Sequence, residues 1–306
     1  MSQLETENRT EEITVAAAPE TVFQLLRDVA RWPQWHGPAV HAEVLERDAS
    51  SELVRNWALA GENRVRVWDT RRTLDPASGS ITFERVGGES ASAGGSWVLS
   101  EGAGGTTVVR ANHESGGGRA PEPDGGAPRT LLTSLKDTAE RAEELDQLVI
   151  SFEDPLFVDG SPETVYGVLN EADRWPTRMA HVTRLDMTEE VPGIQFLDME
   201  TRTPDGSAHT TRSVRVCLPH RKIVYKQIRL PKLLDAHTGH WEFSPTPEGL
   251  TATARHTATI RASALSILGE GTSVRDARRY LRRVLGANSL ANLQVAKRIA
   301  EGGGLG

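Results

Sequence analysis

Cysteine is almost absent from this sequence. The single Cys217 among 306 residues excludes an internal disulfide, and its apolar setting in SVRVCLP predicts a small buried side chain rather than a nucleophile. Long apolar runs are also missing, since none approaches the ~18 residues that a membrane span requires. The first residues, MSQLETENRTEE, are polar and acidic, unlike the basic and apolar parts of a secretory signal. We therefore expect a soluble, cytoplasmic protein with no membrane partner.

Positive charge is in the minority. The chain has 35 Lys and Arg against 42 Asp and Glu, which gives a formal net charge of −7. Because binding to a phosphate backbone needs a basic surface, this balance predicts no nucleic acid partner. The sequence has no glycine-rich phosphate loop and no nucleophile elbow. The HTGH segment at residues 237–240 lacks a third ligand nearby and is predicted to be a loop, so neither a metal nor a cofactor is expected.

The chain contains an internal repeat. Residues 18–33, APETVFQLLRDVARWP, match residues 161–176, SPETVYGVLNEADRWP, at 8 of 16 positions with an offset of 143. Such self-similarity is typical of a duplicated structural unit, and 306 residues suit two domains of ordinary size. We therefore predict two domains of the same fold, residues 1–148 and 149–306.

Each predicted unit has the same order of elements. A short helix begins at a proline and is expected to end at the Trp-Pro pair, because the residue before a proline is pushed out of the helical region. Alternating segments separated by glycine and proline turns then predict antiparallel strands. Long helices are predicted at about 129–148 and 274–300. The pattern is that of an α+β fold in which each unit has an antiparallel sheet and a long final helix.

Strand parity places an arginine inside each unit. Trp68, Thr70 and Arg72 alternate, so they point to one face, and a face that carries a tryptophan is expected to be interior. A buried arginine is costly unless it is paired or binds a ligand, which makes Arg72 a functional candidate. The alternative is an arginine that reaches water at the strand end. Its recurrence at the same offset as Arg215 favours the functional interpretation.

Two histidines and two asparagines are further candidates. His113 and His256 each follow their arginine by 41 residues, since 113 − 72 = 41 and 256 − 215 = 41. A lone strand histidine is usually a satisfied core residue, but recurrence beside an interior arginine favours acid–base chemistry. Asn288 and Asn292 interrupt the apolar stripe of the last helix. Their alternative role is capping or packing after a helix break at Gly286.

Tryptophan makes up an unusual share of the few aromatic residues, with 7 Trp against 6 Phe and 3 Tyr. Flat apolar rings suit a pocket for a planar substrate, although packing in the core is the alternative for each of them. The candidate substrate-binding tryptophans are Trp32, Trp68, Trp97, Trp175 and Trp241. Each unit is expected to enclose a pocket of about 300 to 1,000 Å³, as is usual for ligand sites.

The order of elements resembles the START-like, or SRPBCC, helix-grip fold, in which a curved sheet grips a long final helix over a cavity. Two such units in one chain, each with an interior arginine on a strand, resemble the di-domain aromatase/cyclases of bacterial type II polyketide synthases. The resemblance covers residues from about 10 to 300. It implies that the pocket receives a poly-β-ketone attached to an acyl carrier protein of a minimal polyketide synthase, with no cofactor.

The resemblance also implies roles for particular residues. Trp68, Thr70 and Arg72 match the family's strand motif in the first unit. In the second unit the motif is matched by Thr211, Ser213 and Arg215, with threonine in place of tryptophan. His113 and His256 match a histidine that some members use together with the arginine, and Asn292 falls near a polar residue of the final helix. The first unit departs from the pattern, because its final helix has Thr138, Ala139 and Ala142 there.

The predicted function is regiospecific first-ring cyclisation, between carbons seven and twelve in the family, with dehydrative aromatisation. The predicted catalytic residues are Arg215, His256, Asn292, Arg72 and His113, with Thr70, Thr211, Ser213 and Asn288 binding substrate beside the tryptophans. Five arginines on the last helix, at positions 275, 278, 279, 282 and 283, form a candidate docking stripe for an acidic carrier protein; a solvated face is the alternative. The alternative function is a non-catalytic carrier of hydrophobic ligands, whose pocket is expected to be uniformly apolar.

Overall fold

The computed structural model describes residues 6–87, 93–116, 128–202 and 208–303. The chain forms two compact units, Met1–Glu143 and Glu144–Gly306. Within the described residues, no helix has the length and the apolar character needed to cross a bilayer.

The first unit contains one seven-stranded antiparallel sheet in the order β1-β7-β6-β5-β4-β3-β2. Its strands are β1 (Thr6–Val15), β2 (Ala39–Arg47), β3 (Ser51–Leu59), β4 (Val65–Asp75), β5 (Ser80–Val86), β6 (Ala93–Glu101) and β7 (Thr107–Gly116). Its helices are α1 (Pro19–Arg27), α2 (Trp32–Trp35), α3 (Pro128–Glu140) and α4 (Ala142–Leu148), the last of which crosses the division between the units.

The second unit repeats this topology in the order β8-β14-β13-β12-β11-β10-β9. Its strands are β8 (Val149–Val158), β9 (Val182–Val191), β10 (Ile194–Arg202), β11 (Ala208–Leu218), β12 (Lys222–Arg229), β13 (Leu234–Thr246) and β14 (Gly249–Ile260). Its helices are α5 (Pro162–Asn170), α6 (Trp175–Arg178) and α7 (Val274–Ala300). The predicted α+β class and the repeated antiparallel sheet are confirmed. The edge strands β2 and β9 were not predicted, because their charged and weakly alternating sequences carry little strand signal.

The Trp-Pro pairs begin helices rather than end them, so that prediction was wrong. The first helix of each unit already ends at Arg27 or Asn170, and α2 and α6 start at the tryptophan. Trp32 has helical angles, φ −54° and ψ −40°. Proline is tolerated here because the first turn of a helix leaves its N–H groups without intrahelical partners.

The final helices differ between the units. In the first unit the predicted single helix is two helices, α3 and α4, because the apolar stripe of Leu131, Leu135 and Ala139 ends where α3 ends. In the second unit α7 runs over the predicted 27 residues without a break at Gly286. Ser273 caps it, since its hydroxyl accepts the N–H of Asp276 in a capping box.

The helices cover one face of each sheet, where the core lies. In the first unit α3 packs against β1 and α1. In the second unit α7 packs against β8, β14 and α5. The strand residues that point towards these helices supply most of the buried apolar side chains and also the walls of the two cavities.

Candidate active site

An arginine is buried at the same place in each unit. Arg72 on β4 is 2% exposed and Arg215 on β11 is 1% exposed. Each guanidinium lies over a tryptophan ring, with the carbon of Arg72 5.7 Å from the Trp32 centroid and that of Arg215 5.3 Å from the Trp175 centroid. The two side chains also donate to equivalent backbone carbonyls, of Leu26 at 2.6 Å and of Leu169 at 2.8 Å. The expectation that both arginines lie inside is confirmed by these positions.

The two arginines differ in their charged partners. Arg72 Nη1 forms an ion pair with Glu52 Oε1 at 3.1 Å, and Glu52 is itself 3% exposed. Burial still lowers the pKa of Arg72 to about 10, since desolvation disfavours the charged form more than Glu52 favours it. In the second unit the residue in register with the arginine is Gln195 instead of a glutamate.

Arg215 has no carboxylate partner among the described residues. The Gln195 amide donates to Glu189 Oε2 at 2.7 Å and to the carbonyl of Asn170 at 3.2 Å. Nε and Nη1 of Arg215 are buried without a hydrogen-bond partner in the described part of the chain. A buried cation with unused donors is suited to binding an oxygen that carries negative charge.

The first unit encloses a cavity of about 40 Å³. It is lined by six of the predicted residues, namely Trp32, Trp68, Thr70, Arg72, Trp97 and His113. Burial lowers the pKa of His113, and neither ring nitrogen has a hydrogen-bond partner among the described residues. The final helix contributes the apolar Leu131 to the lining, while Asp137 on α3 is exposed.

The second unit encloses a cavity of about 110 Å³. Seven predicted residues line it, namely Trp175, Ser213, Arg215, Trp241, His256, Asn288 and Asn292. Thr211 is buried and is not among the residues that line this cavity, and its role in substrate binding stays a prediction. Both cavities are smaller than the expected 300 to 1,000 Å³, because their tryptophan walls contact one another. The Trp32 and Trp97 centroids lie 5.9 Å apart, and those of Trp175 and Trp241 lie 6.0 Å apart.

His256 lies at the centre of a buried hydrogen-bond network. Its Nε2 is 2.6 Å from Ser289 Oγ on α7, and its Nδ1 is 2.8 Å from the Tyr225 hydroxyl. The same Nδ1 is 3.1 Å from Nε2 of His237, whose Nδ1 is 3.0 Å from Gln227 Oε1. The HTGH segment that contains His237 is therefore part of strand β13, and its predicted position in a loop was wrong.

The network is electrically neutral at neutral pH. Burial, with Arg282 and His240 nearby, lowers the pKa of His256 to about 4. Burial and the neighbouring His256 hold the pKa of His237 well below its usual range, and burial raises the pKa of Tyr225. Each of these shifts follows from the loss of solvation of the charged form.

Asn292 lies on the same helix as Ser289 but forms no hydrogen bond to His256 among the described residues. Its side chain is 5% exposed and lines the cavity, but its Oδ1 has no hydrogen-bond partner among the described residues. Ser289, one helical turn earlier, makes the contact to His256 instead. Asn292 is left with a free acceptor that faces the cavity.

Known proteins resemble this chain over most of its length. The model of the family described as polyketide cyclase / dehydrase and lipid transport matches residues 15–127. The chain is 40% identical over 300 residues to the actinorhodin polyketide synthase bifunctional cyclase/dehydratase of Streptomyces coelicolor, with 92% of each chain covered. It is 36% identical to the granaticin counterpart of Streptomyces violaceoruber, covering 94% of this chain and 93% of the relative. The chain belongs to the bifunctional polyketide cyclase/dehydratase family.

Solved structures agree with this membership. The di-domain ARO/CYC StfQ from the steffimycin biosynthetic pathway is 50% identical, with a TM-score of 0.90 over 96% of this chain and 98% of that one. The di-domain ARO/CYC BexL from the BE-7585A pathway is 36% identical, with a TM-score of 0.83 over 96% and 99%. The predicted tandem helix-grip fold, the predicted family and the predicted class of enzyme are confirmed.

Within this cyclase/dehydratase, the described residues of the first unit contain no counterpart of the second-unit network. Strand pairing places Phe83 where the second unit has Tyr225, because each faces the equivalent glycine, Gly95 or Gly239. Two residues further along the same strands, Ala93 occupies the position equivalent to His237, and Arg85 occupies the position equivalent to Gln227. The two units of this family member therefore share walls and an arginine but differ in the polar groups beside the histidine.

Sequence reasoning missed five residues of the two sites. They are Glu52, Tyr225, Gln227, His237 and Ser289. The offset of 143 that relates Arg72 to Arg215 also relates Glu52 to Gln195, so that difference was visible in the repeat. The position of Ser289 was not visible, because which helix residue meets His256 depends on the rotation of α7 against the sheet.

The predicted arginine stripe is only partly a free surface. Arg278 donates to the carbonyls of Gln147 at 2.8 Å and Val149 at 2.5 Å. Arg282 forms a bidentate ion pair with Asp154. Both arginines therefore tie α7 to the start of the second unit, and only Arg275, Arg279 and Arg283 are exposed without such ties.

Proposed function

We propose that this chain closes and aromatises the first ring of a poly-β-ketone carried by the acyl carrier protein of a type II polyketide synthase, in the cytoplasm and without a cofactor. We further propose that the second unit is the main seat of the chemistry. The observation that supports this most strongly is Arg215, a fully buried guanidinium with two unused donor positions in the same cavity as His256.

Ring closure needs a base and a place for negative charge. The methylene between two carbonyls of a poly-β-ketone is acidic enough that a modest base can remove its proton. Attack of the resulting carbanion on a ketone forms the new carbon–carbon bond and leaves an alkoxide on the former carbonyl oxygen. The unused donors of Arg215 suit that oxygen, because fixed donors in a water-poor site stabilise developing charge strongly.

Aromatisation needs a second proton transfer. Loss of water from the ring requires removal of a proton from carbon and delivery of a proton to the departing hydroxyl. A neutral imidazole such as His256 can accept the first and return the second. Ser213 and Asn292 line the same cavity and can hydrogen-bond further carbonyls, while Trp175 and Trp241 form flat walls that fix the chain.

The first unit is better suited to shaping the substrate. Its Arg72 is already paired with Glu52, which competes with any substrate oxygen for the guanidinium. His113 lacks hydrogen-bonding partners in the described residues, and the final helix brings no polar group to the cavity lining. A purely non-catalytic carrier is opposed by the polar groups inside the second cavity, since such a carrier needs a uniformly apolar pocket.

Docking of the carrier protein is proposed for the exposed cations of α7. Arg275, Arg279 and Arg283 lie four residues apart along the helix and therefore share one face. Arg279 is held only loosely by Asp276, at 3.7 Å. A row of cations of this kind attracts an acidic partner and speeds its association.

Reconstitution with a minimal polyketide synthase, with and without a ketoreductase, tests the proposal and shows which substrate is accepted. Arg215→Ala is expected to lower the rate of aromatic product formation about 10²- to 10³-fold, as removal of one oxyanion donor does. The first-unit control is Arg72→Met combined with Glu52→Leu, because removing Arg72 alone breaks one of the two ion pairs of the buried Glu52 carboxylate, the other being with Arg47 at 2.8 Å. If Arg215→Ala keeps the wild-type product while the control gives only shunt products, the roles of the two units are reversed.

A further inference from the structure

Four side chains of the second unit form a continuous chain of hydrogen bonds. Its members are Gln227 on β12, His237 on β13, His256 on β14 and Ser289 on α7. The successive distances are 3.0 Å from Gln227 Oε1 to His237 Nδ1, 3.1 Å from His237 Nε2 to His256 Nδ1, and 2.6 Å from His256 Nε2 to Ser289 Oγ. His237, His256 and Ser289 are each 4% exposed, so water does not interrupt the chain.

The amide oxygen of Gln227, at one end of this chain of hydrogen bonds, fixes the direction of each of them. Gln227 Oε1 can only accept, so His237 Nδ1 carries a proton and donates it. The other nitrogen of a neutral His237 is then an acceptor, and it receives the N–H of His256 Nδ1. His256 Nε2 is left with a lone pair, which accepts the hydroxyl proton of Ser289. The basic nitrogen of His256 thus faces the hydroxyl that lines the cavity.

The chain can take up one proton without losing a hydrogen bond. Ser289 passes its proton to His256 Nε2 and receives one from the substrate methylene, so the substrate carbon keeps the electron pair of the broken C–H bond. The Nδ1 proton of His256 moves to His237 Nε2, which now donates back to His256 Nδ1. His237 becomes the cation and still donates to Gln227. The Tyr225 hydroxyl shares the single Nδ1 position of His256 with His237 in both states, because it can accept from the N–H in one state and donate to the lone pair in the other.

We propose that Ser289 is the catalytic group that exchanges protons with the substrate and that His237 is the positioning residue that stores the proton through His256. The stored proton first returns along the same path to the alkoxide left by ring closure, which becomes a hydroxyl. In the dehydration step the hydrogen-bond chain takes up the second proton of the former methylene carbon and returns it to that hydroxyl, so the C–O bond breaks, a carbon–carbon double bond forms and water leaves. This assignment rests on the proposed function of the second unit as the seat of chemistry.

The comparison between units argues against a merely structural network. The first unit keeps the same strand pairing with Phe83, Ala93 and Arg85 at the positions of Tyr225, His237 and Gln227. The fold therefore does not require these polar side chains. Buried polar groups that the fold can omit are costly to keep unless they serve a function.

Other groups around the two histidines set their titration. His256 is faced by Arg282 from α7, His240 from β13 and Tyr225 from β12, with the Phe152 ring of β8 at 5.1 Å. Arg282 is itself paired with Asp154, so its charge is partly compensated. His237 is faced by His256 and by Tyr225. The stored proton is therefore held without a carboxylate beside it, which keeps it easy to return.

The test compares His237→Phe, His237→Gln and Ser289→Ala with His240→Ala as the matched control, since His240 lies three residues along β13 and outside the cavity lining. The measurement is the pH profile of kcat for aromatic product in the reconstituted synthase. His237→Phe and Ser289→Ala are expected to lower kcat about 100-fold with little change in KM, within the range of general acid–base catalysis. His240→Ala is expected to keep the wild-type plateau of kcat and to change only the acid limb of the profile slightly, because His240 contributes to the low pKa of His256.

The His237→Gln variant shows whether His237 stores the proton or only orients the His256 ring. Its amide is not able to take up the proton, although an amide oxygen at that position can still accept the His256 N–H, so His237→Gln is expected to be as slow as His237→Phe. If His237→Gln has the wild-type rate, His237 only orients His256, and the proposal that it stores the proton is overturned. If His237→Phe, His237→Gln and Ser289→Ala fold and keep the wild-type kcat and pH profile while Arg215→Ala is inactive, the proposed proton path is wrong and the proposed function stands. Thermal unfolding of each variant shows whether a loss of rate is a loss of fold.

Discussion

One side chain distinguishes the electrostatics of the two interior arginines. Glu52 and Gln195 occupy the same register position opposite their arginine, and they differ only by an amide in place of a carboxylate oxygen. In the first unit the ion pair compensates the charge of the guanidinium, whereas in the second unit the glutamine turns towards Glu189. The available positive charge is therefore concentrated at Arg215, and a neutral neighbour keeps it available for a ligand.

Gln195→Glu tests this difference at the residue scale. The substitution is expected to lower kcat at least tenfold, because a carboxylate beside Arg215 competes with the developing alkoxide for the guanidinium. The reciprocal Glu52→Gln variant in the first unit is the control and is expected to change kcat much less. Rates in the reconstituted synthase check both. An unchanged kcat in a folded Gln195→Glu protein contradicts a role for Arg215 as an oxyanion donor.

At the scale of elements, the repeat and the strand period predicted much of the site. Alternation on β4 correctly placed Trp68, Thr70 and Arg72 on the cavity face, because side chains of a strand alternate regardless of the rest of the fold. Thr211, whose predicted role came from the family resemblance, is buried on β11 but is not among the residues that line the cavity. Position along a strand relative to the helix above it depends on tertiary packing, which a period of two does not encode.

The HTGH segment shows why a strand was mistaken for a loop. The segment was predicted to be a loop, yet Gly239 lies inside β13. A Cβ at Gly239 would collide with the carbonyl oxygen of Arg255 and with the ring and hydroxyl of Tyr225. The glycine is therefore needed for the close approach of Tyr225 to His256, a contact between distant strands that no local pattern reveals.

Two glycine-to-alanine variants are expected to shift stability in opposite directions. Gly239→Ala should lower the melting temperature of the second unit, since overpacking against backbone costs about 1 to 3 kcal/mol. Gly167→Ala on α5 should raise it, because no atom lies within 4 Å of the added Cβ and alanine is favoured over glycine in a helix by about 1 kcal/mol. Thermal unfolding of the two variants measures this. Equal shifts for both would contradict the crowding assigned to Gly239.

Over the whole molecule, burial favours the uncharged form of several histidines. Burial lowers the pKa of His181, His237, His240 and His256 in the second unit and of His113 in the first unit, where His36 is also fully buried. Two of the second-unit histidines, His237 and His256, belong to the hydrogen-bond network proposed to carry the chemistry, which needs uncharged bases inside its cavity.

Acidification is therefore expected to destabilise the second unit first. A histidine with a lowered folded-state pKa binds fewer protons when folded than when unfolded, so stability rises with pH between the two pKa values and falls on acidification. For His256, with pKa values of about 4 in the folded state and 6.5 in the unfolded state, the free energy of unfolding falls by about 2 kcal/mol between pH 7 and pH 5.

Calorimetry of the whole chain at pH 7 and pH 5 should show that the melting temperature of one transition falls more than that of the other. Leu132→Ala, which opens a cavity in the first-unit core, identifies the first-unit transition because it lowers only that one. If the transition that Leu132→Ala lowers is also the more acid-sensitive one, the neutral histidines do not determine the acid response.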